Sequence, residues 1–252
     1  LDLWPQSLEA VNIINSKRVL NWIEKGVKIL YEKFDLILVG SKSFVKIALQ
    51  RVTHDRVYYF PNWAEKIIEE NKINYKLELD LNPKTLKIMY TGNLGTAQDF
   101  NALCKVIIQN NSENIQWIFI GEGRHKDEMK QLLYDEISND KVLFVPQQNL
   151  AIIPSWVEKA DFLYLSLNDS KLFRKTVPAK LQGYMAMGKP ILAMLAGEGA
   201  SIIEEAKCGF IVPPGNIVKF NEQIKRILKR PKGINIFIRS DIKLSKKDIG
   251  VS

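Results

Sequence analysis

The stretch Leu86-Lys-Ile-Met-Tyr-Thr-Gly-Asn-Leu-Gly95 sets the pattern for the longer part of the chain. A short, almost continuous apolar run ends in a glycine turn, and a helical pattern follows over Asp99–Gln109. Such a run is typical of a strand buried on both faces. The pattern recurs, and it predicts strands at Leu86–Thr91, Ile115–Ile120, Val142–Val145, Phe162–Ser166, Ile191–Met194 and Phe210–Val212. Further helices are predicted at Arg124–Ile137, Leu150–Lys159, Ala179–Met187 and Ala200–Lys207. The sequence therefore predicts an α/β fold with a doubly wound, Rossmann-like parallel sheet, which binds ligands beyond the carboxyl ends of its strands.

The residues on either side of this unit have a different character. Residues 1–63 predict a helix over Ser7–Phe34, a strand over Asp35–Gly40, a helix from Ser41 to Leu49 and a strand over Val57–Phe60. Residues 64–84 are polar and are predicted to be a linker. Residues 85–218 form the predicted main domain, and 219–252 a basic tail that starts as an amphipathic helix.

Composition narrows the class of protein. The apolar fraction of 46% is enough for a core, and no apolar run reaches the roughly 18 residues of a membrane span. Two cysteines, Cys104 and Cys208, provide no disulfide framework, so we expect buried packing residues in a cytoplasmic protein. The chain shows no signal peptide, and because it begins with Leu1 we expect a natural protein that starts further upstream.

The net charge of +8 is concentrated at one end. Residues 219–252 contain ten Lys or Arg and three Asp or Glu, so the rest of the chain is nearly neutral. A uniformly basic surface would indicate nucleic acid, which we do not expect here. A basic tail favours an anionic membrane surface, with Lys225, Arg226, Lys229 and Arg230 as candidate contacts. A solvated helix face that packs through Phe220 and Ile224 remains the alternative.

Three glycine-containing loops follow predicted strands and are candidates for ligand binding. In Thr91–Gln98, Gly92 and Gly95 allow close backbone approach, and a helix N-terminus just beyond favours an anion. Gly121-Glu-Gly123 is weaker evidence, because it lacks the third glycine of a dinucleotide fingerprint. For both loops a plain turn is the alternative.

The third candidate combines Thr176–Pro190 with the turn Gly197-Glu-Gly199. Thr176 and Pro178 predict a helix entry, with proline in the first turn, and Lys180 would supply charge to a phosphate. A solvated surface lysine is the alternative for Lys180.

Several other chemistries lack their motifs. There is no Asp-x-Asp for a divalent metal on a nucleotide-sugar, no P-loop and no Gly-x-Ser-x-Gly elbow. His54 and His125 are the only histidines, and neither has a second histidine at metal-binding spacing. We therefore predict neither a metal nor a cofactor.

Four stretches together resemble a known family: Asp2-Leu-Trp-Pro5, Tyr59-Phe-Pro-Asn-Trp-Ala-Glu65, Tyr90-Thr-Gly-Asn-Leu-Gly95 and Pro178-Ala-Lys-Leu-Gln-Gly-Tyr-Met-Ala-Met-Gly-Lys-Pro-Ile191. In their order and spacing, residues from about 2 to 216 resemble the retaining GT-B glycosyltransferases of family 4 (group 1). The closest resemblance is to bacterial O-antigen and capsule enzymes, including N-acetyl-L-fucosamine transferases. This resemblance implies a nucleotide-sugar donor, most simply UDP-linked, a lipid-linked saccharide acceptor and no metal.

The resemblance also assigns residues. It implies that residues 1–63 are the end of a truncated acceptor domain, and it leaves the catalytic group unassigned, in the missing N-terminal region. The implied donor-binding residues are Gly92, Asn93, Leu94, Gly95, Gln98, Glu122, Pro146, Gln147, Thr176, Lys180, Gly197, Glu198 and Gly199.

This chain departs from the family pattern at four positions. Asn93 and Gln98 stand where many members carry phosphate-binding cations, and Lys175 and Gly183 stand where the broader family has two glutamates. Because these charged residues are missing, we expect phosphate binding to depend more strongly on Lys180.

Two functions therefore compete: a retaining glycosyltransferase, and a nucleotide-sugar-binding fragment that needs a missing half. A sugar-nucleotide epimerase is disfavoured, because the third loop lacks carboxylates for acid–base chemistry.

Overall fold

The computed structural model describes residues 3–10, 13–64, 81–82, 84–138 and 140–229. The N-terminal segment contains α1 (Gln6–Ala10), α2 (Lys17–Glu32), β1 (Ile37–Val39), α3 (Lys42–Leu49) and β2 (Val57–Tyr59). The single helix predicted over Ser7–Phe34 is wrong: α1 and α2 are separate. Ser16 occupies the N-cap position of α2 with an extended backbone, and its side chain makes no capping hydrogen bond.

The main unit alternates strands and helices as predicted. It contains β3 (Leu86–Thr91), α4 (Phe100–Gln109), β4 (Ile115–Ile120), α5 (Lys126–Tyr134), β5 (Val142–Val145), α6 (Ile153–Glu158), β6 (Phe162–Ser166), α7 (Ala179–Ala186), β7 (Ile191–Met194), α8 (Glu198–Glu205), β8 (Gly209–Val212) and α9 (Ile217–Leu228). Short 3₁₀ helices lie at Leu150–Ile152 and Phe173–Lys175. Five strands keep their predicted bounds, and β8 begins one residue earlier.

The six strands of the main unit form one parallel sheet with the order β5-β4-β3-β6-β7-β8. The chain winds outward in one direction from β3 and in the other from β6, so the predicted doubly wound α/β fold is confirmed. Ligands of such sheets bind where the winding reverses, at the carboxyl ends of the central strands.

Alternate residues of each strand build a core on each face of the sheet. Ile88 and Tyr90 of β3 pack on one face with α4, α5 and α9, and Met89 packs on the other with α6, α7 and α8. Cys104 and Cys208 are buried in these cores, as predicted for packing residues. The cores hold the strand ends, and therefore the loops that follow them, in fixed positions.

Helix α9 belongs to this core. Phe220, Ile224 and Ile227 are buried in it, so the apolar face at the start of the predicted tail packs on the main sheet. Residues 230–252, including Arg230, lie outside the described residues, as does most of the predicted linker, 65–80.

The N-terminal segment has a small core of its own. Strands β1 and β2 form a two-stranded parallel sheet whose buried residues pack with Tyr31 and Phe44. Leu172 of the main unit packs against the same cluster. The hydroxyl of Ser41 caps α3 by accepting from Phe44 N at 3.2 Å, and donates to the carbonyl of Lys175 at 2.7 Å. Segment and main unit are therefore joined beside the loop that precedes α7.

Candidate functional site

The main cavity lies at the carboxyl ends of β3, β4 and β5, against the N-terminal half of α7. Its volume is about 930 Å³, near the upper end of the range of small-molecule sites. Its lining includes residues of the N-terminal segment, so it lies between the two parts of the chain. The lining residues are Asn62, Trp63, Ala64, Thr91, Gly92, Asn93, Ile120, Gly121, Glu122, Gly123, Gln147, Gln148, Leu150, Ile153, Ala179, Lys180, Gly183, Tyr184 and Met187.

Lys180 lies in the first turn of α7 and extends across the cavity floor. Its Nζ donates to the hydroxyl of Tyr90 at 2.6 Å and lies 4.6 Å from the centre of that ring. Burial of the side chain lowers the pKa of Lys180 from 10.5 to about 8. A partly desolvated cation at a helix N-terminus is suited to a phosphate group, because both the charge and the helix N–H groups favour an anion.

The loop after β3 makes room for this lysine. Gly92 has a φ of +117°, and a Cβ placed on it would lie 2.6 Å from Cε of Lys180. The backbone conformation therefore favours glycine at this position, and a larger residue would also displace the end of the lysine side chain.

The N–H groups of the same loop are largely used within the protein. Gly92 N donates to the carbonyl of Ile120 at 2.8 Å, and Leu94 N donates to that of Glu122 at 2.8 Å. Gly95 N donates to Oε1 of Gln98 at 3.2 Å. The resemblance implied that Gly92 to Gly95 face the diphosphate, and in this structure three N–H groups of the loop already have partners within the protein.

The remaining side chains of this loop divide between cavity and core. Asn93 is exposed and lines the cavity, whereas the side chain of Leu94 is fully buried in the main core. Gln98 does not line the cavity, and it closes the loop through its bond to Gly95. Of the five residues predicted here, Gly92 and Asn93 reach the cavity.

Glu122, in the loop after β4, presents a carboxylate to the cavity. Lys126 Nζ donates to its Oε1 at 2.6 Å, and this hydrogen bond lowers the pKa of Glu122. The next loop contributes Gln147, while the neighbouring Pro146 is exposed outside the lining and accepts through its carbonyl from Gln148 at 3.0 Å. A fixed carboxylate and a pair of glutamine side chains can hydrogen-bond the hydroxyls and base edge of a nucleoside.

The residues that precede Ala179 in the third candidate, and its turn Gly197–Gly199, pack against the protein and do not line the cavity. Pro178 is the N-cap of α7, one position before the first helical turn in which it was predicted. Thr176 Oγ1 donates to the carbonyl of Leu172 at 3.0 Å. Gly197 has a φ of +78°, and a Cβ on it would meet the carbonyl oxygen of Arg174 at 1.8 Å.

Glu198 and Gly199, the first residues of α8, are also engaged elsewhere. The Glu198 carboxylate accepts from Lys42 N at 2.5 Å and Ser43 N at 2.9 Å, at the N-terminus of α3. A Cβ on Gly199 would lie 2.8 Å from Pro178 Cδ. The structure therefore gives this turn a role in joining the two parts of the chain, and its predicted contact with the donor stays a prediction.

Sequence reasoning missed several lining residues. Trp63 and Asn62 lie in a stretch that was noted only for its resemblance, and Tyr184 is a buried helix residue whose hydroxyl accepts from Thr91 N at 3.0 Å. Tyr90 lies inside an apolar strand run, where a tyrosine is read as core. All four lie in stretches quoted for their family resemblance, which singled out none of them as a site residue, and Tyr90 reaches the cavity only through its bond to Lys180.

Neither a metal-binding cluster nor a membrane-spanning helix is present among the described residues. No cluster of three or more His, Cys, Asp or Glu in the described ranges could hold a metal ion. Within the same ranges no helix has the length and apolarity needed to cross a membrane.

Comparison with known proteins gives consistent matches. The family model described as glycosyl transferases group 1 matches residues 71–243. WbjE of Pseudomonas aeruginosa, named as a glycosyltransferase, is 23% identical over 236 residues, which cover 90% of this chain and 58% of WbjE. WcaI of Escherichia coli K12, named as a colanic acid biosynthesis glycosyl transferase, is 22% identical over 160 residues, which cover 61% of this chain and 39% of WcaI. The chain thus spans about half the length of these relatives.

Solved structures with the same fold include two proteins of low sequence identity to this chain. HepE of Anabaena, solved with UDP and glucose, has a TM-score of 0.63 at 15% identity, covering 82% of this chain and 57% of HepE. WaaG, described as a glycosyltransferase involved in lipopolysaccharide biosynthesis, has a TM-score of 0.63 at 13% identity, covering 77% of this chain and 53% of WaaG.

Proposed function

The chain belongs to the group 1 glycosyl transferases, and we propose that it is the donor-binding half of a retaining enzyme that transfers a sugar from UDP-sugar to a lipid-linked saccharide. One observation carries this proposal. The ammonium of Lys180 lies over a glycine turn, inside a cavity of about 930 Å³ that extends from the end of β3, beside the reversal point of a doubly wound sheet, to the end of β5. That is where such a fold binds a nucleotide.

The proposed chemistry requires a stable leaving group. The bond between the sugar C1 and the β-phosphate oxygen breaks, and its electron pair remains on UDP. An acceptor hydroxyl forms the new bond to C1 and loses its proton. Negative charge grows on the diphosphate during this step, so a preorganised cation and a helix N-terminus stabilise the transition state more than the ground state. Lys180 and the N-terminus of α7 are placed to do this. We assign no residue to deprotonation of the acceptor.

The nucleoside end of the cavity supports a UDP donor. Glu122 and Gln147 offer polar contacts, and Leu150 and Ile153 form an apolar wall beside them. A carboxylate is a suitable acceptor for ribose hydroxyls. The likeness to HepE, which was solved with UDP and glucose, adds support for the uridine base.

The names of the relatives support a role in surface-polysaccharide synthesis. WcaI is named for colanic acid and WaaG for lipopolysaccharide. Transfer to a lipid-linked saccharide would fit that role, and N-acetyl-L-fucosamine as the sugar stays a prediction from the sequence.

The alternative, a nucleotide-sugar-binding unit that needs a further protein segment for transfer, has its own observation. Of the sixteen large hydrophobic residues found exposed in the described structure, twelve lie in residues 3–64. Trp22 is 82% exposed, and Tyr58 on β2 is 55% exposed. Two-stranded sheets are marginal alone, and parallel sheets are normally covered on both faces. These faces could be covered by another segment that completes the acceptor side.

Calorimetry with UDP, followed by a transfer assay, separates the two functions. Binding with transfer supports the enzyme, binding without transfer supports the binding unit, and absence of binding rejects both. We expect Lys180→Ala to weaken UDP binding by about 10- to 100-fold, the worth of a hydrogen bond to a charged group. Lys171→Ala, at an exposed lysine, is the matched control and should leave the affinity unchanged.

The affinity should also depend on pH. Because the pKa of Lys180 is about 8, the cation that binds the diphosphate is lost as the pH rises through that value. We expect UDP to bind more weakly at pH 9 than at pH 7, with proton uptake on binding near pH 8. Affinity that stays constant from pH 7 to 9.5 would reject Lys180 as the phosphate cation.

Docking of the basic tail on an anionic membrane remains a proposal of lesser scope. The apolar face of α9 is buried, so attachment would rest on the exposed Lys225, Arg226 and Lys229. Flotation with vesicles that contain anionic lipid should then succeed at low salt and fail at high salt. Failure at both salt concentrations would reject it.

A further inference from the structure

Tyr90 connects the two elements of the cavity on which the proposed function depends. Its hydroxyl accepts a hydrogen bond from Lys180 Nζ at 2.6 Å and donates its own hydrogen to the carbonyl of Asn93 at 2.5 Å. Lys180 belongs to α7, and Asn93 belongs to the loop after β3. One hydroxyl group therefore joins the helix cation to the loop.

The ring that carries this hydroxyl is held firmly. Tyr90 is 1% exposed, and it packs edge-on against Phe100 at 5.2 Å and beside Phe119 at 6.4 Å between ring centres. A lysine side chain has many rotamers, and much of this freedom is lost when the ammonium is fixed. A rigid partner that holds the ammonium beforehand reduces the ordering cost of ligand binding.

The chemical nature of the partner also matters. A tyrosine hydroxyl is neutral, and burial raises the pKa of Tyr90 far above 10, so it accepts from the ammonium without neutralising it. A carboxylate in the same place would compete with a phosphate for the cation. The hydroxyl therefore holds Lys180 and leaves its charge available.

We propose that Tyr90 is a positioning residue, which holds the ammonium of Lys180 in register with the Asn93 segment of the loop so that both meet the donor diphosphate together. The proposal rests on the proposed function, since it assumes that this cavity binds a nucleotide diphosphate. The glycine at 92 fits the arrangement, because the lysine stem crosses the space that a side chain there would fill.

Removing the hydroxyl alone tests the effect on binding. UDP is titrated by calorimetry at pH 7 into the wild type and into two variants, Tyr90→Phe and Tyr164→Phe. Tyr164→Phe is the control, because it removes a hydroxyl from an equally buried tyrosine that does not line the cavity. We expect UDP to bind Tyr90→Phe about 3- to 10-fold more weakly, the worth of one hydrogen bond, and Tyr164→Phe to match the wild type. Unchanged affinity in Tyr90→Phe, or an equal loss in both variants, would overturn the proposal.

A second measurement shows whether Tyr90 acts through Lys180. The Cε resonance of Lys180, assigned by its loss in Lys180→Arg, is followed by NMR as a function of pH without ligand. We expect the pKa of Lys180 to fall in Tyr90→Phe, because the charged form loses a hydrogen-bond acceptor. The other titratable groups that line the cavity with Lys180 are Tyr184 on α7 and Glu122, and the Tyr90→Phe substitution changes neither. An unchanged titration would overturn the proposal even if the affinity falls.

The two measurements separate this inference from the proposed function. If the wild type does not bind UDP, the proposed function fails, while the NMR titration still reports whether Tyr90 holds the lysine. If Tyr90→Phe does not fold, 3-fluorotyrosine at position 90 keeps the ring and the hydroxyl but weakens the oxygen as an acceptor. The same two changes are then expected at smaller size, and their absence would be decisive against the role of Tyr90.

Discussion

Lys180→Met should make the protein more stable near neutral pH while it removes the phosphate-binding cation. The native protein holds this lysine partly out of water, with its pKa lowered to about 8 by burial. Methionine has a similar length without the charge, so it can retain the packing of the stem across Gly92 and Tyr90. The variant therefore removes the cost of desolvating the ammonium, together with the hydrogen bond from the ammonium to Tyr90.

The magnitude follows from the lowered pKa. A fall from 10.5 to about 8 corresponds to at most about 3 kcal/mol, because a tenfold change in proton affinity is worth about 1.4 kcal/mol. Lys180 is only partly buried, and water screens part of this penalty. We therefore expect Lys180→Met to raise the free energy of unfolding by roughly 1 to 2 kcal/mol at pH 7.

The pH dependence gives the sharper test. The unfolded chain binds the proton of Lys180 more tightly than the folded chain does, so the whole penalty is present below pH 8. As the pH rises from 8 towards 10.5, the folded protein loses this proton first and the penalty disappears. Urea unfolding of both proteins at pH 7, 8, 9 and 10 should show a stability difference that narrows with pH. Lys171→Met, at an exposed lysine, should show none. A difference of zero or of opposite sign at pH 7, or one that does not change with pH, would refute this reasoning.

Three further changes have defined outcomes. Gly92→Ala should destabilise the protein by about 1–3 kcal/mol and weaken UDP binding, because it strains a positive φ and displaces Lys180. Thermal unfolding measures the loss of stability, and calorimetry measures the loss of affinity. Gly26→Ala, in an exposed helix position with open space around it, is the control and should stabilise by about 0.5–1 kcal/mol. Glu198→Ala should cost about 1–2 kcal/mol in urea unfolding, because α3 loses the carboxylate at its N-terminus; an unchanged midpoint would show that this contact contributes nothing. Cys104 should resist a thiol reagent until the protein unfolds, since it is buried and burial raises the pKa of its thiol to about 12; rapid labelling of the native protein would contradict the packing of α4.

The strands were predictable because their signal is local. A parallel strand covered on both faces is mostly apolar, so Ile115–Ile120 and Phe162–Ser166 appear in the sequence as nearly continuous apolar runs, with one polar residue each, and keep their predicted bounds. Helix ends depend on backbone conformation. Helix α8 begins at Glu198 and not at Ala200, because Gly197 adopts a positive φ and serves as the N-cap. The two glycines near this helix start are compatible with more than one N-cap position. The contact with the carbonyl of Arg174, which leaves no room for a side chain at residue 197, selects Gly197.

The site was only partly predictable because its contacts join distant residues. Lys180 could be identified as a cation near a helix N-terminus, but its partner Tyr90 lies in a strand run that is otherwise apolar. Glu198 lies in a glycine turn that resembles an anion-binding loop, yet its carboxylate binds α3, more than 150 residues earlier in the chain. A glycine loop has the same local sequence whether its N–H groups face a ligand or a neighbouring loop. The strand order decides between these cases, since it places the loops after β3 and β4 side by side.

That pairing of loops changes how a diphosphate can be stabilised here. The loop after β3 carries the neutral amides Asn93 and Gln98, and Gln98 is already bonded to Gly95. Because N–H groups of the loop are also paired, a diphosphate in this cavity would depend for charge on Lys180, with help from the N-terminus of α7. Among the described residues that line the cavity, Lys180 is the only cation. A site whose charge comes from one cation loses most of its charge assistance when that cation is deprotonated, whereas a site with two retains half. The low pKa of Lys180 and its fixed position on Tyr90 are therefore the features on which nucleotide binding by this chain should depend most strongly.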